Sequence, residues 1–476
     1  MPQYPFLCEG PMLAWTFTVI AVMALASFAW ARHRALGFRH AASGAGGRSP
    51  VLHSLPLYHG AYAASWALLP SMIVVLIWTL TQDSAINALI LSTLPDGRTE
   101  GRSTGEIGLL ISEIRQLAAG RQFRTPEPDL LAAAQRLNRW TDLAGLAMLS
   151  SAAAMTALGA AVAITRATPD FRARNRFEGI LTGLMMFSSA VAVLTTLGII
   201  AALVFESFAF FRQVPALEFL FGLRWEPQIA IRQDQVAGLG AFGAVPVFAG
   251  TLLIAVVALA VAVPIGLLSA LYLAEYANGR IRSVIKPALE VLSGVPTVVY
   301  GFFAVLIVAP ALVTAGTALG LDVAPNSAIA AGSVMGIMII PFISSLSDDA
   351  LNAVPNSLRD GSYALGATQG ETIVRVLIPA ALPGIAGGVL LALSRAIGET
   401  MIVVMAAGLI ARLTANPFEG VTTVTVQIVT LLTGDTEFDN PKTLSAFALG
   451  LVLFAVTLTL NVIALRIVQT YRERYE

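Results

Sequence analysis

Apolar runs of about 20 residues, separated by short polar segments, dominate this chain. A helix rises about 1.5 Å per residue and the hydrocarbon core of a bilayer is about 30 Å thick, so each run can cross as a helix. The runs fall near 11–31, 64–81, 143–165, 179–207, 247–274, 288–313, 326–347, 384–411 and 443–467. Runs of this length are not strands. The pattern predicts an all-α membrane protein, a polytopic bundle with 8–9 transmembrane helices. The count turns on 288–313, where Gly294, Pro296, Gly301 and Pro310 predict a broken or tilted helix.

Basic residues between the runs set the orientation. Arg32, Arg34, Arg39 and Arg48 follow the first run, Arg166, Arg172, Arg174 and Arg176 the third, Arg280, Arg282 and Lys286 the fifth, and Arg466, Arg472 and Arg474 the last. An outside N-terminus places all four groups in the cytoplasm if 288–313 crosses. Met1 to Gly10 lacks a positive flank, so the first run reads as a retained helix; cleavage after Ala31 is the alternative. The long loop from Gln82 to Asp142 falls outside and predicts an amphipathic helix over Glu106–Ala119. Trp225, in a second outside loop, fits an interfacial anchor, and Glu206 the outer end of its span.

Composition strengthens this picture. The chain is 56% hydrophobic and 12% charged, about half the charge of a soluble domain. The single Cys8 excludes an intramolecular disulfide framework, and the four His have no metal-ligand spacing. The net charge of zero does not point to a partner, and no nucleic acid is expected. Two blocks emerge: 1–174, with three spans and no motif that carries chemistry, and 175–476, with six spans and all the motifs.

The first motif lies in the cytoplasmic segment 348–383. It reads Asp360, Gly361, Ser362, three residues, Gly366, nine residues, Val376, one residue, Ile378, Pro379. Asn356 and Ser357 can cap a helix start, and Gly366 can end that helix in a left-handed conformation. Leu358, Tyr363 and Leu365 remain available to a partner's groove. The segment resembles the EAA motif of ABC importer permeases, with conservative departures at Asp360, Gly361, Ser362, Val376 and Ile378. In that family the helix couples to the ATPase. A plain cytoplasmic hairpin is the alternative. No Gly-x-x-x-x-Gly-Lys-Ser/Thr phosphate loop occurs, so the chain is not expected to be an enzyme and ATP would be used by a separate subunit.

The second motif lies in the eighth run: Arg395-Ala396-Ile397-Gly398-Glu399-Thr400-Met401. Four residues apart inside this span, Arg395 and Glu399 are expected to lie on one helix face. Charges at mid-membrane cost roughly 2.5–3.5 kcal/mol each by insertion scales, so both are expected to face the bundle interior or an aqueous pathway. A guanidinium suits a tetrahedral oxyanion. An internal bridge that only locks packing is the alternative. The Gly332–Gly336 pair predicts close helix contact, within the chain or with a second subunit, and Gly294–Pro296 a break or a kink. Glu290 falls near the cytoplasmic boundary.

The second motif, with Val245-Pro246 to Leu252, Leu271 to Tyr276, Glu290 to Gly301 and Met338 to Ile343, resembles the PstC-type permeases of bacterial phosphate ABC transporters over 175–476. The resemblance implies a type I ABC importer (MetI-like) permease core in the bacterial inner membrane. It also implies a PstA-like permease partner, a PstB-like ATPase dimer, a PstS-like periplasmic phosphate-binding protein, and no cofactor on this chain. Within the same class, a PstA-like seat or a sulfate/molybdate permease remains open. Outside it, the alternative is an ion-coupled secondary transporter or channel.

Overall fold

The computed structural model describes residues 10–43, 52–95, 104–121, 127–228, 240–433 and 440–472. Among them, nine helical segments are long and apolar enough to cross a membrane. The chain divides into two compact units, Met1–Val193 and Leu194–Glu476. The division thus falls within one continuous helix, α5 (Ala173–Phe211), rather than at 174/175.

In the first unit, α1 (Gly10–Ser43), α2 (Pro56–Thr93) and α4 (Pro128–Thr165) pack on one another. Pro56 and Pro128 open their helices, where the missing N–H costs nothing. Ile20, Val75, Met148 and Ala152 meet at the centre. The amphipathic helix expected over 106–119 is α3 (Thr104–Ala118). Its Leu110 and Ile114 pack against Ile86 and Ile90 of α2 and Leu130, Ala133 and Leu137 of α4.

In the second unit the end of α5 is followed by a short helix, α6 (Ala216–Phe221), and a two-stranded ribbon, β1 (Trp225–Glu226) and β2 (Ala241–Phe242). Trp225 is not an interfacial anchor. It is buried among Phe210, Phe219 and Phe242, edge to face, and its indole N–H donates to Gln427 Oε1 at 2.8 Å. An indole buried with its polar edge satisfied stabilises a core, and only the fold supplies Gln427.

The membrane core follows: α7 (Val245–Leu271), α8 (Gly279–Ser293), α9 (Thr297–Phe303), α10 (Ala309–Ala318) and α11 (Ala328–Asn352). Then come α12 (Asn356–Ala364), α13 (Gln369–Thr372), α14 (Ile378–Ile397), α15 (Met401–Ala406), α16 (Val424–Leu432) and α17 (Pro441–Arg472). Wide π turns at Tyr272–Tyr276, Ala304–Val308 and Ile373–Leu377 extend or join these helices. The central pair is α7 and α11. Gly332 and Gly336 present α11 to Val257, Ala258 and Val261 of α7, so the small-residue pair serves contact within the chain. A Cβ at Gly336 would lie 2.7 Å from the Ala258 carbonyl oxygen. Gly250 meets the Thr422 carbonyl in the same way.

Two spans differ from their expected bounds. Gly294 ends α8 and Pro296 opens α9, so the sixth crossing runs from Thr297 to Ala318, not over 288–313. Proline cannot donate the hydrogen bond that would continue α8. The eighth crossing runs from Gln369 to Ile397, not over 384–411. The apolar run 401–411 that extended it belongs instead to α15 and to irregular backbone. Backbone of that kind needs internal partners at membrane depth. Gln427 provides one, donating from Nε2 to the Leu409 carbonyl at 2.9 Å and to Thr422 Oγ1 at 3.1 Å.

Candidate functional site

The segment carrying the first motif forms an exposed helix–turn–helix. None of the residues of α12 is buried, and Leu358, Tyr363 and Leu365 stand out from it, Leu365 91% exposed. Asp360 and Gly361 are also on the surface. Neither Asn356 nor Ser357 caps the start. Pro355 holds the N-cap position, and Asn356 Oδ1 instead accepts from Arg359 at 2.9 Å. A proline at that junction sets the turn by its fixed φ. Gly366 ends the helix at φ +84°, as its position predicts. The Ala367 amide then bonds back to the Ser362 carbonyl at 3.2 Å.

The next turn starts with a reciprocal cap. The Glu371 amide donates to Thr368 Oγ1, and the Thr368 amide donates to the Glu371 carboxylate. Ser362 and Thr372 hydroxyls meet at 2.9 Å and pin the two helices together. Val376 lies in the π turn, and Ile378 and Pro379 begin α14.

Two side chains tie this surface to the core. Arg359 of α12 reaches Glu275, on the π turn that ends α7, with N–O 2.9 Å; the side chains are 18% and 7% exposed. Gln369 donates to the Glu275 carbonyl at 2.7 Å. Neither Arg359 nor Glu275 stands out in the sequence, since the pair is 84 positions apart and no local spacing marks it.

The second motif departs from its expected geometry. Helix α14 ends at Ile397, with Gly398 as its C-cap, so Arg395 and Glu399 do not share a helical face. Among the described residues, no hydrogen bond or ion pair joins them. Glu399 lies in the link to α15, where its carboxylate accepts from the amides of Met401 at 3.1 Å and Ile402 at 3.5 Å. Thr425 donates to the Glu399 carbonyl at 2.8 Å and fixes the break. Gly398 is a poor helix former, and a carboxylate that bonds local amides competes with the helical ladder. That competition was the available signal.

Arg395 is exposed, with its guanidinium 5.8 Å from the Phe342 ring centroid. It lines a cavity of about 230 Å³ with Lys286, Glu290, Ser293, Phe342, Ser344, Ser345 and Asp348. One wall of this cavity is ionic. Asp348 of α11, 3% exposed at its side chain, accepts from Arg282 through both oxygens at 3.0 Å and from Lys286 at 2.8 Å, both on α8. Asn352 adds a bond at 3.0 Å. The Asp348 bond raises Lys286 above the usual lysine range. A separate cavity of about 700 Å³ opens beside Trp225, Glu226, Leu409, Gln427 and Lys442.

A many-helix membrane bundle with a cavity, a basic group on its wall and an exposed surface helix fits a permease subunit. Residues 262–474 match the family described as "Binding-protein-dependent transport system inner membrane component", and residues 17–195 match one described as "Phosphate ATP-binding cassette transporter". The "Probable ABC transporter permease protein YqgH" of Bacillus subtilis (strain 168) is 33% identical over 287 residues, covering 60% of this chain and 86% of that protein. The chain belongs to this family of ABC transporter permeases. The "Phosphate transport system permease protein PstC" of Mesorhizobium japonicum is 35% identical, covering 47% of this chain and 72% of its own length. The "Phosphate transport system permease protein PstA 1" of Mycobacterium tuberculosis (strain ATCC 25618 / H37Rv) is 34% identical, covering 47% and 70%. A solved bacterial alginate ABC transporter aligns at a TM-score of 0.42 and 17% identity, covering 61% of this chain and 94% of its own; that likeness is too slight to carry weight.

Proposed function

We propose that this chain is the PstC-like permease subunit of an ATP-driven importer that moves inorganic phosphate across the bacterial inner membrane. The observation that carries the reading is the joining of two features in one core. The exposed face of α12 ends at a left-handed glycine and is tied by Arg359 to the end of α7, while the cavity with Arg395 lies on the neighbouring helices α11 and α14. The printed names of the PstC and PstA relatives support phosphate as the cargo. A PstB-like ATPase dimer docks on Asp360, Gly361, Ser362 and the Gly366 turn, with Val376, Ile378 and Pro379 receiving its motion. A PstA-like subunit completes the pathway and a PstS-like protein delivers phosphate from the periplasm.

Within this scheme, Arg395 is the fixed positive group that meets the anion, its planar fork held against Phe342. Glu399 is turned to the amides of α15, so it leaves the guanidinium to the cavity and shapes the pathway wall. The test is uptake of radiolabelled phosphate by the reconstituted complex, with sulfate and molybdate as competitors. Arg395→Ala abolishes uptake at normal membrane abundance, and Arg395→Lys restores part of it. Uptake in Arg395→Ala equal to the parent overturns the role of Arg395. Sulfate uptake in place of phosphate overturns the cargo.

A further inference from the structure

The ionic wall of the cavity has an arrangement that packing alone does not require. Helix α8 has no buried residue along its length. It is held to α11 where Arg282 and Lys286 meet Asp348, and it is followed by the Gly294–Pro296 break, a natural hinge. Asp348 is the buried partner and the two cations are each about a third exposed. Lys286 and Asp348 both line the cavity with Arg395, as do Ser293, Ser344 and Ser345. Glu290 faces it too and keeps the local charge from accumulating.

We infer that Asp348 is a built-in counter-anion whose hold on Lys286 is exchanged for a tetrahedral oxyanion in the cavity, and that this exchange unlatches α8 from α11. The cargo is taken from the reading above, on which this inference rests. The chemistry is a swap of ionic partners. Lys286 leaves one carboxylate oxygen of Asp348 and takes an oxygen of the anion, while Arg395 and the serine hydroxyls supply the remaining donors. Arg282 keeps Asp348 paired, so no buried carboxylate is left bare. The swap is favourable only when an anion is present, so α8 opens on a loaded cavity and recloses when Asp348 recaptures Lys286. The buried carboxylate thereby also prevents the anion from binding too tightly to leave.

The test uses the full chain in lipid nanodiscs, with Cys8→Ser and spin labels at Ser283→Cys on α8 and Ala353→Cys beyond α11, and inorganic phosphate as the probe. Millimolar phosphate is expected to lengthen the label distance by several ångströms. Asp348→Asn is expected to show the long distance without phosphate and to bind phosphate at least tenfold more tightly. Lys286→Met, which keeps the Arg282–Asp348 pair, is expected to hold the short distance, to bind phosphate at least tenfold more weakly and to lose the response. An unchanged distance in the parent chain at saturating phosphate overturns the latch, as does Asp348→Asn or Lys286→Met behaving like the parent. Phosphate uptake by the reconstituted parent complex is measured alongside. Uptake with an immobile α8 overturns the latch alone, whereas no uptake overturns the cargo assignment and the exchange with it.

Discussion

Two places on the same core invite comparison: the exposed segment around α12 and the clamp formed by Arg282, Lys286 and Asp348. Both are polar, but they are built in opposite ways. In the α12 segment Leu365 stands almost fully out of the chain, and Tyr363 and Leu358 are also exposed. In the clamp a buried carboxylate is satisfied by two cations and an amide. An exposed side chain can change at little cost to stability, whereas removing one partner of a buried ionic junction is destabilising.

The largest expected effect comes from breaking the clamp. Asp348→Ala leaves Arg282 and Lys286 facing each other without a counter-charge. Loss of one partner of a buried ion pair costs about 3–5 kcal/mol, and partial exposure of the two cations places this case near about 3 kcal/mol. A thermal shift assay on the purified chain is expected to show a lower and broader transition, and an unchanged midpoint contradicts the contrast.

Gly366→Val comes next. A β-branched residue at φ +84° is strained by about 1–2 kcal/mol, confined to one turn. Membrane abundance is expected to hold while co-purification of the ATPase falls several-fold. Normal ATPase association in a folded Gly366→Val complex removes the docking role from α12. Leu365→Ser is expected to shift stability by less than about 0.5 kcal/mol, as for other surface sites, yet to weaken ATPase association in the same pull-down. If Leu365→Ser lowers the melting temperature and leaves association intact, the two regions are not opposites.

The same comparison explains what could be read in advance. The helical class, the number of crossings, α3 and the Gly366 turn follow from local periodicity and from residues a few positions apart. The α12 segment is legible because its residues form one continuous stretch of sequence. The clamp joins positions 62 and 66 apart, and Arg359–Glu275 joins another distant pair, so neither leaves a local spacing. Arg395 and Glu399 show the converse error. Their four-residue spacing looked like one helical face, but Gly398 and the amides of α15 ended the helix between them. Trp225 misled for a third reason: an aromatic at a loop looks the same whether lipid headgroups or Gln427 satisfy its indole.

The glycine contacts of the core have a consequence for how this chain can evolve. At Gly387 an added methyl would strike a γ-methyl of Val468, so a smaller residue at the neighbour could accommodate the change. At Gly250 and Gly336 it would strike the carbonyl oxygens of Thr422 and Ala258. No substitution removes a carbonyl. The first position can drift together with its partner over generations, whereas the other two are closed to single-step exploration, and divergent relatives are expected to keep glycine there after much of the surrounding sequence has turned over.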